Sequence, residues 1–149
     1  MFKKVLVPTD GSPASLRAAE AVAALVAPAK DSVDVTLILA IAPIKPEETD
    51  LDADIVTRQN ANMRQAAQRA LDKTSAVFDE YGIKHDTRVI EGDPVSAAIA
   101  SEAETGGYDV IAMGSRGMGM QKGDVHYIGS VTERVIRRVG VPVLVLPIK

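Results

Sequence analysis

The residues best placed to do chemistry form one run, Gly114-Ser115-Arg116-Gly117-Met118-Gly119-Met120-Gln121-Lys122-Gly123-Asp124-Val125-His126-Tyr127-Ile128-Gly129-Ser130. Glycines let a backbone approach an anion closely and present successive N–H groups to it. Gly129 and Ser130 stand where a helix is predicted to begin, so free amides and the positive end of the helix dipole point at one place. Ser130 and Thr132 add hydroxyl donors. Arg116 either pairs with a phosphate through two N–H groups or stays a solvated loop residue. The run is built like a phosphate cradle, although glycine-rich segments also serve merely to turn a chain. It matches neither G-x-x-x-x-G-K-[ST] nor G-x-G-x-x-G.

A second candidate is Asp10, within Pro8-Thr9-Asp10-Gly11-Ser12-Pro13. Aspartate before glycine is a common turn pair, and the same carboxylate suits a ribose, a base or a cation. His85 and His126 have no spaced partner for a metal or a catalytic pair, so surface or packing roles are expected. Met113, Met118 and Met120 are expected to fill core and loop gaps. The chain has no cysteine, hence no disulfide and no thiolate metal site. Beyond Asp10 the loops offer no catalytic pair of histidine, carboxylate or lysine. Any hydrolysis is expected to be slow or absent.

Five apolar runs must position these residues. Val5-Leu6-Val7 reads as a buried strand, followed by Ser12 as N-cap and Pro13 as first residue of a helix that Pro28 ends. Val33 to Ala42 is the second strand, apolar enough for a central parallel position. The acidic stretch from Pro43 to about Asp54 is a solvated connection or a lid, leading into a long helix. Met63, Ala67, Ala70, Thr74, Val77 and Tyr81 mark its apolar stripe, and Gly82 closes it. Thr87 to Glu91 is a weaker third strand, and Asp93-Pro94 repeats the N-cap and proline pattern. Asp109 to Met113 is the fourth strand. Ser130-Val131-Thr132-Glu133 has capping-box spacing and opens the last helix, and Val143-Leu144-Val145-Leu146 is the fifth strand.

Strands alternating with helices predict an α/β fold, a single doubly wound five-stranded parallel sheet with helices on both faces and one domain over residues 1–149. The ligand crevice of such a sheet lies outside the carboxyl ends of its strands, where strand order reverses. Hydrophobic residues at 46% and charged residues at 25% exclude a disordered chain. A net charge of −3 provides no broad positive field, so neither nucleic acid nor a membrane is an expected partner. Arg137 and Arg138 are expected to complement the dipole at the end of the last helix. The opening Met1-Phe2-Lys3-Lys4 has too short an apolar run after it for a signal peptide, which predicts a soluble, cytoplasmic protein.

At these residues the chain resembles the ATP-binding branch of the universal stress protein family. The resemblance rests on Lys4-Val5-Leu6-Val7-Pro8-Thr9-Asp10-Gly11-Ser12, the second strand to Ile41, Tyr108 through Gly117, Gly129 through Val135 and Val141 through Leu146. It implies adjacent first and fourth strands and a regulatory protein of the stress response that binds ATP with magnesium or manganese. The implied nucleotide-binding residues are Pro8, Thr9, Asp10, Ile41, Met113, Gly114, Arg116, Gly117, Gly129, Ser130, Val131 and Thr132. Asp10 meets the nucleoside, Ile41 meets adenine through its backbone, and the loop with the helix start holds ribose and phosphates. The resemblance also implies a homodimer, its last strand (Val143, Leu144, Val145, Leu146) pairing antiparallel with a second copy. One departure stands out: the family's G-x-x-G and G-[ST] are nine residues apart, whereas eleven separate Gly117 from Gly129. A nucleotide-independent interaction module and a slow ATP hydrolase are the alternatives.

Overall fold

The computed structural model describes residues 2–115 and 128–147. Its strands are β1 (Lys4–Pro8), β2 (Asp34–Ile41), β3 (His85–Glu91), β4 (Val110–Gly114) and β5 (Val143–Leu146). Its α-helices are α1 (Pro13–Val26), α2 (Ala53–Glu80), α3 (Val95–Thr105) and α4 (Ser130–Arg138). The strands form one sheet in the order β3-β2-β1-β4-β5, with every pairing parallel. The chain moves outward from β1 to β3, then crosses back to β4 and β5. Strand order therefore reverses between β1 and β4, which are hydrogen-bonded neighbours.

Both faces are covered. Val5, Val7, Val35, Leu37 and Leu39 pack under α1 and α2, while Leu6, Ile38, Ile111 and Met113 pack under α3 and α4. Burial on two sides is why β1, β2 and β4 read as continuous apolar runs. The edge strand β3 exposes Asp86, Thr87 and Arg88, which is why its signal is weak. No helix among the described residues is long and apolar enough to cross a membrane.

Local signals set several boundaries as expected. Ser12 caps α1, its hydroxyl accepting from the Ser15 amide at 3.1 Å, with Pro13 in the first turn. Gly82, at φ +67°, ends α2, and the Ile83 amide donates to the Phe78 carbonyl at 3.0 Å. His85 has a packing role: it tilts against Phe78 and makes hydrogen bonds to Ser75 at 2.5 Å and to the Ile83 carbonyl at 2.8 Å.

Three local expectations need correction. The buried line of α2 runs through Ala67, Leu71, Thr74 and Phe78, with Met63, Ala70 and Val77 at its margin and Tyr81 39% exposed. Turning the helix this way buries Leu71 and Phe78, the larger apolar surfaces. Asp93 does not cap α3; Pro94 occupies that position, because the helix starts at Val95. The capping box at Ser130 and Glu133 does not form either. Gly129 is the N-cap, so Ser130 already sits inside α4, and Glu133 pairs instead with Arg137 at 2.9 Å.

Candidate functional site

In a sheet of this order the ligand crevice belongs beyond the C-terminal ends of β1, β2 and β4, where strand order reverses. Beyond β1 the Thr9 amide donates to the Ile38 carbonyl at 2.8 Å, the last rung between β1 and β2. The buried Thr9 hydroxyl donates to Ser15 at 3.1 Å, lies 3.2 Å from the Thr74 hydroxyl and accepts from the Gly11 amide at 3.3 Å. Half-buried Asp10 accepts the Ser12 amide at 2.9 Å, so its turn role is realised. Gly11 holds φ +77°, and a Cβ there would lie 2.4 Å from that of Ala70. Helix α2 thus fixes the back of this loop, with the Thr9 side chain turned inward to Ser15 and Thr74.

Strand β2 outruns β1. Its pairing with β1 ends at Ile38, whereas its pairing with β3 continues through Ile41 opposite Glu91. Backbone groups alternate sides along a strand. Those of Ile41 face β3, where its carbonyl accepts the Gly92 amide at 3.0 Å. Those of Ala40 face the side that β1 has already left. Of the three overhanging residues, Leu39 to Ile41, Ala40 alone turns its backbone to that side, a planar donor and acceptor for a ligand edge.

On the other side of β1, β4 ends at Gly114 next to the start of α4. The Thr132 hydroxyl donates to the Gly114 carbonyl at 2.9 Å, and the Gly129 amide donates to the Ser115 carbonyl at 2.6 Å. The first intrahelical acceptor is Gly129, taken by the Glu133 amide at 2.9 Å. The amides of Ser130, Val131 and Thr132 precede that bond and have no partner within the helix. They point out of its positive end, with exposed Ser130 beside them. Met113 is buried under α4. Arg116 and Gly117 lie outside the described residues, as do Met118, Gly119, Met120, Gly123, Asp124 and His126. Arg137 and Arg138 fall in the last turn of α4, as the dipole favours.

Helix α2 adds two contacts that the sequence did not signal. Asn60 accepts the Ile44 amide at 2.8 Å and donates to the Ile44 carbonyl at 3.0 Å. One turn further on, Arg64 makes a two-point pair with Glu91, both bonds 3.0 Å. That hydrogen bond holds the Glu91 carboxyl below, and the Arg64 guanidinium above, its ordinary range. Polar residues on the exposed side of a long helix carry no mark of their partners, so neither contact was legible in advance.

A family model for universal stress proteins matches residues 1–147, and the chain belongs to that family. It is 30% identical over 147 residues to a universal stress protein of Methanocaldococcus jannaschii, covering 98% of this chain and 82% of the relative. Among solved structures it is similar to the hypothetical protein MJ0577, whose biochemical function was assigned from structure. The two share 29% identity at a TM-score of 0.81, over 100% of this chain and 98% of the other. A universal stress family protein of Arabidopsis thaliana with AMP bound has the same fold, at a TM-score of 0.67 and 18% identity, over 99% and 92% of the chains.

Proposed function

We propose that this universal stress protein binds ATP in the crevice across β2, β1 and β4, and that it acts in the stress response as a cytoplasmic homodimer. The carrying observation is a pair of open backbone surfaces on either side of the β1 exit. Adenine faces the β2 overhang beside Ile41, where the Ala40 backbone is turned to the crevice. Ribose meets Asp10, and the phosphates meet the first-turn amides of α4 with Gly114, Gly129, Ser130, Val131 and Thr132. The two surfaces are two strand spacings apart, about 10 Å, a span that an extended nucleotide bridges. Arg116 and Gly117 complete the phosphate end. Magnesium or manganese is carried mainly on phosphate oxygens, the usual mode for a small hard cation.

The AMP-bound Arabidopsis relative supports the ligand class. Differential affinity of ATP for two states of the protein is what lets the nucleotide act as a signal. The dimer uses β5, whose outward edge carries the Val143 and Val145 backbone groups, and residues 1–149 work as one domain.

Calorimetric titration of nucleotide-free protein with ATP and magnesium tests the reading, with Ser130→Asp beside it. Aspartate in the first turn suits the helix dipole, so the variant folds, while its charge repels phosphate. Saturable binding by wild type, weakened at least tenfold in Ser130→Asp, is expected. A wild type that takes up no ATP leaves the dimer as the working part and overturns the proposal.

A further inference from the structure

Asn60 is the most unusual polar residue near the crevice. Its side-chain amide satisfies both backbone groups of Ile44, at 2.8 and 3.0 Å, as a neighbouring strand would. Ile44 lies three residues beyond the end of β2, and Pro43 between them has no amide hydrogen to anchor the chain. The exit of β2 is therefore fastened at two points. One is the Gly92 amide on the Ile41 carbonyl, backed by Arg64 on Glu91; the other is Asn60 on Ile44. Between them lies Ala42, the first residue past β2, two positions on from Ala40.

We propose that Asn60 is the positioning residue that sets the adenine edge of the site and hence the choice of base. This rests on the nucleotide-binding reading above. Backbone donors and acceptors discriminate adenine from guanine only if held in place, because the two bases present opposite donor and acceptor patterns at the same ring positions. A segment free to swing re-pairs with either. Asn60 removes that freedom without touching the ligand.

The test measures dissociation constants for Mg·ATP and Mg·GTP by calorimetry in wild type, Asn60→Leu and Asn60→Asp. Leucine removes both hydrogen bonds at similar volume; aspartate keeps the acceptor for the Ile44 amide and loses the donor. Expected are a fall in ATP affinity of about tenfold in Asn60→Leu and a collapse of the ATP-to-GTP ratio towards one, with Asn60→Asp intermediate. Faster hydrogen exchange at the Ile44 amide accompanies Asn60→Leu, whereas Asn60→Asp keeps that amide protected. A general loss of stability weakens both nucleotides together and leaves their ratio intact, which overturns the inference, as does an unchanged ratio in a folded variant. If Asn60→Leu fails to fold, Asn60→Asp carries the same comparison. A wild type that binds neither nucleotide sinks the underlying reading as well, which separates the two failures.

Discussion

The Thr132 hydroxyl donates to the Gly114 carbonyl at 2.9 Å, so the first turn of α4 is tied to the last residue of β4. This bond joins the two ends of the glycine-rich connection. Thr132→Val keeps the shape and removes the donor. It is expected to lower stability by about 1 kcal/mol, the usual net worth of such a bond, and to weaken ATP binding. Thr132→Ser is expected to retain both. Denaturant unfolding and calorimetry check the pair, and a valine variant equal to wild type in both measurements contradicts the expectation.

Gly11 needs its missing side chain twice over, for φ +77° and for the 2.4 Å approach to the Cβ of Ala70. Gly11→Ala is expected to cost about 2 kcal/mol or more. Adding Ala70→Gly relieves the contact and leaves the backbone strain, so only part of the loss returns. Urea unfolding of the single and double variants measures both parts; full recovery in the double variant means strain contributes nothing.

The open edge of β5 can be tested without disturbing the sheet. The Ile111 amide donates to the Pro142 carbonyl and the Ser115 amide to the Leu146 carbonyl, so even-numbered residues of β5 face β4. Val143 and Val145 face outward. Val145→Pro removes an outward amide and is tolerated on an edge. Sedimentation is expected to show wild type as a dimer and the variant as a folded monomer. A variant that stays dimeric places the interface elsewhere.

Asp109 binds β4 to the start of β1, accepting the amides of Lys3 and Lys4, both at 2.9 Å. These bonds, that of Lys3 first, hold its carboxyl below the ordinary carboxylate range. A depressed carboxyl stabilises the fold above its unfolded pKa, and the contribution fades as pH falls through the folded value. Asp109→Asn is therefore expected to be less stable than wild type at neutral pH, with the gap closing in acid. Thermal unfolding from pH 7 downward checks this, and a gap constant with pH refutes it.

Much of the architecture was legible because it follows from local chemistry. Two-sided burial makes Val5 to Val7 and Leu37 to Ile41 unbroken apolar runs, and Ser12-Pro13 and Gly82 punctuate helices by backbone requirement. The adjacency of β1 and β4 was available only through family resemblance. What stayed hidden was relational. Ser130 has capping chemistry, yet Gly129 takes the cap because its carbonyl, on extended backbone, accepts the first helical bond from Glu133. Met63 and Tyr81 fit a helical stripe, yet the sheet selects the neighbouring line through Leu71 and Phe78. The Ile41 carbonyl accepts the Gly92 amide, and the overhang around it becomes visible only when two ladders of unequal length are compared.

Helix α2 reaches the exits of three strands, through Asn60 to Ile44, Arg64 to Glu91 and Thr74 to Thr9. One residue inserted between Arg64 and Thr74 turns everything after it by about 100° relative to everything before. The contacts cannot then all be kept, whatever the inserted residue is. The spacing of Asn60, Arg64 and Thr74 along this helix thus keeps three strand exits in phase, which fixes the helix's length between them as firmly as its residues.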